Sequence, residues 1–290
     1  MGKLIRCITS CGAVMAAAVD ATDIVKEAQR IHKLSPVATV ALGRLLAGAS
    51  MMGNALKNKD DSITLRVAGD GPLGSLIAVS DSRGNVRGYV SNAAADVPLN
   101  NKGQLDVASA VGKEGMLYVL KDIGLKEPYN GSVPLFSGEI AEDITAYYAI
   151  SEQIPTVCAL SVSLNNDGSV SRAGGYLIQM MPFATEDEIK RLEDGVKEMS
   201  SLSSMFAQNM SLLDIVKKAL KYYEVEVLDE SVAEYLCNCS RARVEKALIS
   251  IGKEGLLEMA NEQENTNIEC HICDKIYNFS AAQLRKLASK

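Results

Sequence analysis

Near its C-terminus the chain reads LCNCSRAR and later ECHICDK, so four of its seven cysteines fall in two tight pairs: Cys237 with Cys239, and Cys270 with Cys273. Thiols spaced C-x-C and C-x-x-C constrain a fold strongly, because they clamp a metal, form a catalytic dithiol or act as a sensor. Four thiolates complete a tetrahedral Zn2+ shell at about 2.3 Å per bond and leave no open position for a substrate. The stretch that carries them, from about Ser231 onward, has only about sixty residues, a length at which an apolar core alone is marginal. Zinc contributes on the order of 10–16 kcal/mol of apparent binding free energy in small zinc peptides, comparable to the whole stability of a domain. Metal occupancy and folding are therefore expected to be one equilibrium in this segment. His271 lies between two of the cysteines, but four sulfurs already fill the shell, so it is expected in a solvent-facing loop. Cys7, Cys11 and Cys158 lie in strand-like apolar contexts and are expected to be small buried hydrophobes.

The length of 290 residues suits one large domain plus a smaller one. A hydrophobic share of 47% with 23% charged residues is that of an ordinary globular protein. The formal charge of −6 argues against general nucleic-acid binding, which depends on Lys and Arg neutralising phosphates. The basic start is followed by alternating ITSC without a cleavage region, so no secretory leader is expected. Residues 37–56 approach membrane-spanning length, yet Arg44 and Asn54 interrupt them and their mass is Ala and Gly. A helix buried in a soluble domain is the better reading, with Pro36 in its first turn, and no membrane role follows. An odd number of cysteines in such pairs points to a reducing cytoplasm.

The remaining pattern reads as α+β. SITLRVAG and LGSLIAVSDSRGNVRGYVS are strands, the second folded into a hairpin at Arg83, Gly84 and Asn85, and a further hairpin turns at Asn165–Gly168. Helical patterns span Thr22–His32, Pro36–Leu56 and the region from Ile140 to Glu152. Gly69-Asp70-Gly71-Pro72-Leu73-Gly74 matches a phosphate-binding fingerprint, but a strand rather than a helix follows it, so a tight strand-to-strand turn is expected and not a nucleotide site. After Pro182 the character changes. Thr185 with Glu188 has capping-box spacing, Ser211 and Asp214 open a second helical run, and apolar residues recur at helical intervals. The expected organisation is a core at 1–182, an amphipathic helical linker at 183–232 and a small zinc-binding domain at 233–290. In the last, Ser240 caps a helix ended by Gly252, IYNF is a short strand, and Ser280 with Gln283 caps a final helix.

A purely structural zinc knuckle explains the clamp but not the C-x-C spacing. When an oxidant converts one of two such close thiolates to a sulfenic acid, its neighbour can condense with it and eject the metal. Arg241, Arg243 and Lys275 would help keep the sulfurs deprotonated. Two other function classes compete. A zinc-ribbon nucleic-acid binder lacks its basic stripe here, and a thiol–disulfide oxidoreductase needs a metal-free C-x-x-C with one exposed nucleophile. With only His32 and His271 in the chain, histidine acid–base catalysis is poorly supplied, and no enzyme is expected.

GDGPLGSLIAVSDSRGNVRGYV, YYAISEQIPTVCALSV, CNCSRARVEKALISIGKEGL and ECHICDKIYNF together closely resemble the redox-regulated heat-shock chaperones known as the 33 kDa chaperonin family. The resemblance runs from end to end. It implies a layered core of sheets packed around a buried helix, and it makes Cys237, Cys239, Cys270 and Cys273 both the Zn2+ ligands and the switch. It further implies that oxidation pairs Cys237 with Cys239 and Cys270 with Cys273, releases zinc and unfolds the tail and linker. The product would be an active homodimer that holds unfolding client proteins without ATP during oxidative stress. One departure stands out: family members commonly carry Glu where this chain has Ala242, which bears on the sensitivity of the switch and not on its ligands.

Overall fold

The local patterns resolve into a chain of short elements in the computed structural model, which describes residues 2–289. Strands β1 (Gly2–Thr9) and β2 (Val14–Asp20) lead into helices α1 (Thr22–His32) and α2 (Pro36–Asn54). Then come β3 (Ser62–Gly69), β4 (Ser75–Asp81), β5 (Val86–Val90), α3 (Val107–Val111), β6 (Gly115–Asp122), β7 (Tyr129–Pro134) and α4 (Ala141–Tyr147), which continues into a π-helical turn at Tyr148–Glu152. The hairpin of β8 (Thr156–Leu164) and β9 (Val170–Met180) is followed by α5 (Glu186–Lys197), α6 (Leu202–Ala207), α7 (Leu212–Ala219) and β10 (Val225–Ala233). These belong to a first compact unit that ends at Leu236; a second begins at Cys237. The second unit holds α8 (Arg241–Ser250), α9 (Lys253–Glu262), β11 (Asn265–Glu269), β12 (Ile276–Ser280) and α10 (Ala281–Leu287).

Helix α2 organises the first unit. Ser35 caps it by accepting the Ala38 N–H at 3.2 Å, and Pro36 supplies a preset φ at its first position. It is the one helix among the described residues long and apolar enough to cross a membrane, yet 89% of that stretch is buried inside the fold. The reason is its position between two sheets, touching β2, β8 and β9 of one and β3, β4 and β5 of the other. Its glycines make the close approach possible. A Cβ at Gly43 would lie 2.8 Å from Val25 Cγ1, and one at Gly53 would lie 2.2 Å from Ser80 Oγ. The sheets run in the orders β10-β1-β2-β9-β8 and β5-β4-β3-β6-β7, all neighbours antiparallel. Mixed sheets and helices in layers around one buried helix make this the α+β core that the sequence led us to expect.

The far face of the first sheet carries a second apolar cluster. Ile5, Val14, Tyr176, Ile178 and Met180 from the strands meet Leu192, Met205, Phe206, Ile215 and Val216 from α5–α7. Caps define these helices as expected. Thr185 and Glu188 form a reciprocal capping box on α5, and Ser211 accepts the Asp214 N–H at 3.1 Å to start α7. The helical run is divided, however: α5 ends at Lys197 and α6 restarts at Leu202, with Ser201 as its own cap. Helix also stops short of the expected linker boundary. Val225–Ala233 is a strand, paired with β1 and tied to it by Lys3–Glu230 at 2.9 Å and Arg6 Nε–Asp229 at 2.7 Å.

The glycine-rich turn between β3 and β4 is strand-to-strand, as its sequence context requires. A Cβ at Gly69 would sit 2.1 Å from the Val111 carbonyl oxygen and one at Gly71 2.4 Å from that of Ala110, so these glycines admit the backbone at the end of α3. Of the three remaining cysteines, Cys7 is buried and Cys158 half-buried, with burial pushing the Cys158 thiol up to about 12. Cys11 differs from expectation: it is exposed, because Gly12 at φ +73° turns the chain between β1 and β2 and leaves Cys11 in the turn rather than on a strand.

Candidate metal centre

The second unit builds its site from two short turns. β11 and β12 pair antiparallel from Asn265↔Ser280 to Glu269↔Ile276, so their connection must close within Cys270–Lys275. It does so through Cys270 N–H to the Lys275 carbonyl at 3.0 Å and Asp274 N–H to the Cys270 carbonyl at 2.9 Å, with Asp274 in the left-handed region at φ +55°. This knuckle brings Cys270 and Cys273 to one side. Cys237 and Cys239 come from the segment just before α8, whose start is fixed by Ser240 accepting the Arg243 N–H at 3.3 Å.

All four sulfurs lie within 4.8 Å of one another. Cys237 and Cys270 are 3.8 Å apart, and Cys239 and Cys273 3.4 Å. A tetrahedron of thiolates at about 2.3 Å from zinc has edges of about 3.8 Å, which the Cys237–Cys270 separation matches. The donor set also fits: four sulfurs, each half-buried, suit a closed tetrahedral site for a borderline-soft cation. His271 is exposed and stands outside the cluster, as its sequence context led us to expect.

The electrostatics show why such a cluster wants a cation. Burial pushes the Cys273 thiol up, and the hydrogen bonds its S–H donates to the neighbouring sulfurs, Cys239 first, push it further. Cys237 is likewise raised, chiefly by burial. Cys239 goes the other way: burial opposes ionisation, but the Tyr277 hydroxyl and the neighbouring thiols together bring it down to about 7. Without a metal, sulfurs this close cannot all be anionic, and the first thiolate raises the cost of the next. A divalent ion removes that repulsion and deprotonates the remaining thiols.

Two residues support this geometry, and of them only Tyr277 was not anticipated as functional. The Tyr277 hydroxyl donates to Cys239 Sγ at 3.1 Å. Arg241, expected to bias the thiolates by charge, is instead a clasp: its guanidinium lies 4.1 Å from the Phe279 ring centroid, donates to the Asn278 carbonyl at 2.9 Å and reaches Gln283 Oε1 at 3.2 Å. Lys275 Nζ sits 5.5 Å from the Tyr277 ring centroid. Hydrogen bonds within the cluster, rather than these cations, set the acidity of Cys239. Beside the sulfurs lies a small apolar core of Leu248, Leu256, Ala260, Tyr277, Phe279, Leu284 and Leu287.

Comparison with known proteins follows the same outline. The family model described as Hsp33 protein matches residues 2–280. The chain belongs to the Hsp33 family. Among its Hsp33 relatives, the 33 kDa chaperonin of Acetivibrio thermocellus is 46% identical over 284 residues, covering 98% of this chain and 96% of that protein. The 33 kDa chaperonin of Clostridioides difficile is 42% identical over 284 residues, covering 98% and 97%. The crystal structure of the Hsp33 homologue from Thermotoga maritima superposes with a TM-score of 0.91 at 35% identity, covering 99% of this chain and 97% of that one.

Proposed function

We propose that this Hsp33-family protein is a redox-regulated, ATP-independent holdase of the cytoplasm, a chaperone and not an enzyme. Cys237, Cys239, Cys270 and Cys273 hold one Zn2+ in the reduced, inactive state. Oxidation joins Cys237 to Cys239 and Cys270 to Cys273, releases the ion and unfolds the zinc-binding domain at 233–290 together with the linker at 183–232. The core at 1–182 persists, and the oxidised protein acts as a homodimer on unfolding client proteins, with no role for nucleic acid or membrane.

The observation that carries this reading is the convergence of the four sulfurs within 4.8 Å of one another in a unit otherwise held by a small apolar core. Family membership supplies the chaperone class. The second apolar cluster supplies a physical route to client binding: if α5–α7 leave the sheet, Ile5, Val14, Tyr176, Ile178 and Met180 lose their cover, and Leu192, Met205 and Phe206 are freed with them. Met180, Met181, Met199, Met205 and Met210 in this region are flexible and polarisable, which suits a surface that accepts many partners.

The test uses the full chain. Peroxide with mild heat is expected to release about one zinc per chain, and only then should the protein suppress aggregation of a heat-denatured client. Equal suppression by the zinc-loaded, reduced protein would overturn the switch.

A further inference from the structure

Among the described residues the two five-stranded sheets present four edges, and three of them are blunted. β10 carries Glu226, Asp229 and Glu230, and its register with β1 shifts at Arg6–Cys7. β5 is capped by the segment 234–236, through Val86 N–H to the Glu234 carbonyl and Leu236 N–H to the Val86 carbonyl, both at 2.8 Å. β7 is six residues long and holds Gly131 and Pro134. β8 has none of these guards. Its nine residues, TVCALSVSL, include no charged side chain and no proline, and all are half-buried.

The ladder fixes which backbone groups of β8 face outward. The Met180 N–H donates to the Pro155 carbonyl at 2.9 Å, so this pair and every second pair after it bond across to β9. The N–H and C=O groups of Cys158, Leu160 and Val162 therefore point away from β9, and among the described residues no backbone group pairs with them. Such a row is a template for another chain. A cavity of about 320 Å3 adjoins it. Its walls include Ser161 of β8 itself, Arg44 of α2 paired with Glu139, Ser203 of α6, and Asn100 and Gln104 of the loop before α3.

We infer that the edge of β8 is a docking site for an extended segment of an unfolding client, which joins the first sheet as an added strand. This rests on the holdase reading and deepens it. Main-chain hydrogen bonds supply affinity without demanding a sequence, as a holdase of many clients requires. The slot suits a backbone that presents N–H and C=O by turns, since Arg44 donates, Glu139 accepts, and the serines and carboxamides do both. At this size, walled by two helices and two loops, it takes one extended chain and not a second sheet with helices of its own. The occupant is thus a client strand rather than another copy. Ser203 lies on α6, within the linker, so departure of the linker removes one wall and ties access to oxidation.

Residue-resolved hydrogen exchange on the oxidised full-length protein, alone and holding heat-unfolded citrate synthase, tests this. With client held, the amides of Cys158, Leu160 and Val162 are expected to exchange about tenfold more slowly, while those of Val157, Ala159 and Ser161, already bonded to β9, change less. Unchanged exchange at the three outward amides would overturn the inference. So would equal slowing in the oxidised protein without client, which assigns the edge to the freed linker or to a second copy. Ser161→Lys puts on β8 the kind of charge that guards edge strands. The variant is expected to release zinc under peroxide at the parent rate, yet to need about tenfold more protein to halve client aggregation; parent-like suppression would contradict the inference. An oxidised parent that fails to hold client would overturn the holdase reading and this inference with it, whereas the exchange and Ser161→Lys results bear on the inference alone.

Discussion

Cys239 takes hydrogen bonds from Tyr277 and from its fellow thiols, and it is the sulfur brought down to about 7. Replacing it by Ser exchanges a soft thiolate for a hydroxyl that zinc binds poorly at neutral pH. Cys239→Ser is expected to purify with well under one zinc per chain and with a less structured second unit, read by metal analysis and circular dichroism; unchanged zinc content would count against this ligand. A different residue contributes to the pH dependence of the first unit. Glu152, in the π-helical turn, accepts from Lys121 Nζ at 2.7 Å and from the Tyr147 hydroxyl. Burial opposes its ionisation, but these two donors prevail and hold its carboxyl below the ordinary 4.5. A depressed carboxylate contributes stability that is complete above its unfolded value and is lost as pH falls through the folded one. The melting temperature of the parent should therefore fall more steeply than that of Glu152→Gln, which has no such proton to bind, as pH drops from about 5 through the folded value below 4.5; parallel profiles there would remove Glu152 from the account. The four cysteines were legible because sulfur pairs advertise their chemistry by spacing. Tyr277 was not, since a tyrosine on a short strand looks like core until the strand is folded back on the cysteines.

Among the elements, those set by local chemistry were readable and those set by distant partners were not. Pro36 announces α2, Thr185 with Glu188 announces α5, and Asn165–Gly168 announces a hairpin, each through contacts a few residues long. Strand β10 is different. Its partner β1 lies at the other end of the chain, and the ion pairs Lys3–Glu230 and Arg6–Asp229 that fix its register cannot be inferred from either segment alone. The loop before α4 was likewise hidden. Asp143, fully buried, accepts N–H groups of Phe136, Ser137 and Gly138 on Oδ1 and of Ile140 on Oδ2, and so holds Ile140 at φ +69°, a conformation that a β-branched residue avoids. Asp143→Ala leaves these donors without an acceptor, at about 1–3 kcal/mol for each that stays buried. A stability loss of more than about 3 kcal/mol is expected in denaturant unfolding; a loss below about 1 kcal/mol would show that solvent satisfies the loop.

On the scale of the whole molecule the chain divides by what stabilises it. The first unit has two extended apolar clusters on either side of a five-stranded sheet, enough to fold without help. Among the described residues the second has seven buried apolar side chains beside four clustered sulfurs that could hold a metal ion. Composition led us to expect a metal-dependent tail, because about sixty residues cannot enclose much apolar surface; that it has some core of its own emerged only when α8, α9 and α10 were seen packed with β12. The most direct measurement is hydrogen exchange on the full chain, reduced throughout, with zinc bound and after chelation. Amides from Cys237 onward should lose most of their protection on chelation while those of α2 and the two five-stranded sheets keep theirs. Undiminished protection in the second unit without metal would mean that its apolar core suffices, and that zinc does not govern whether it folds.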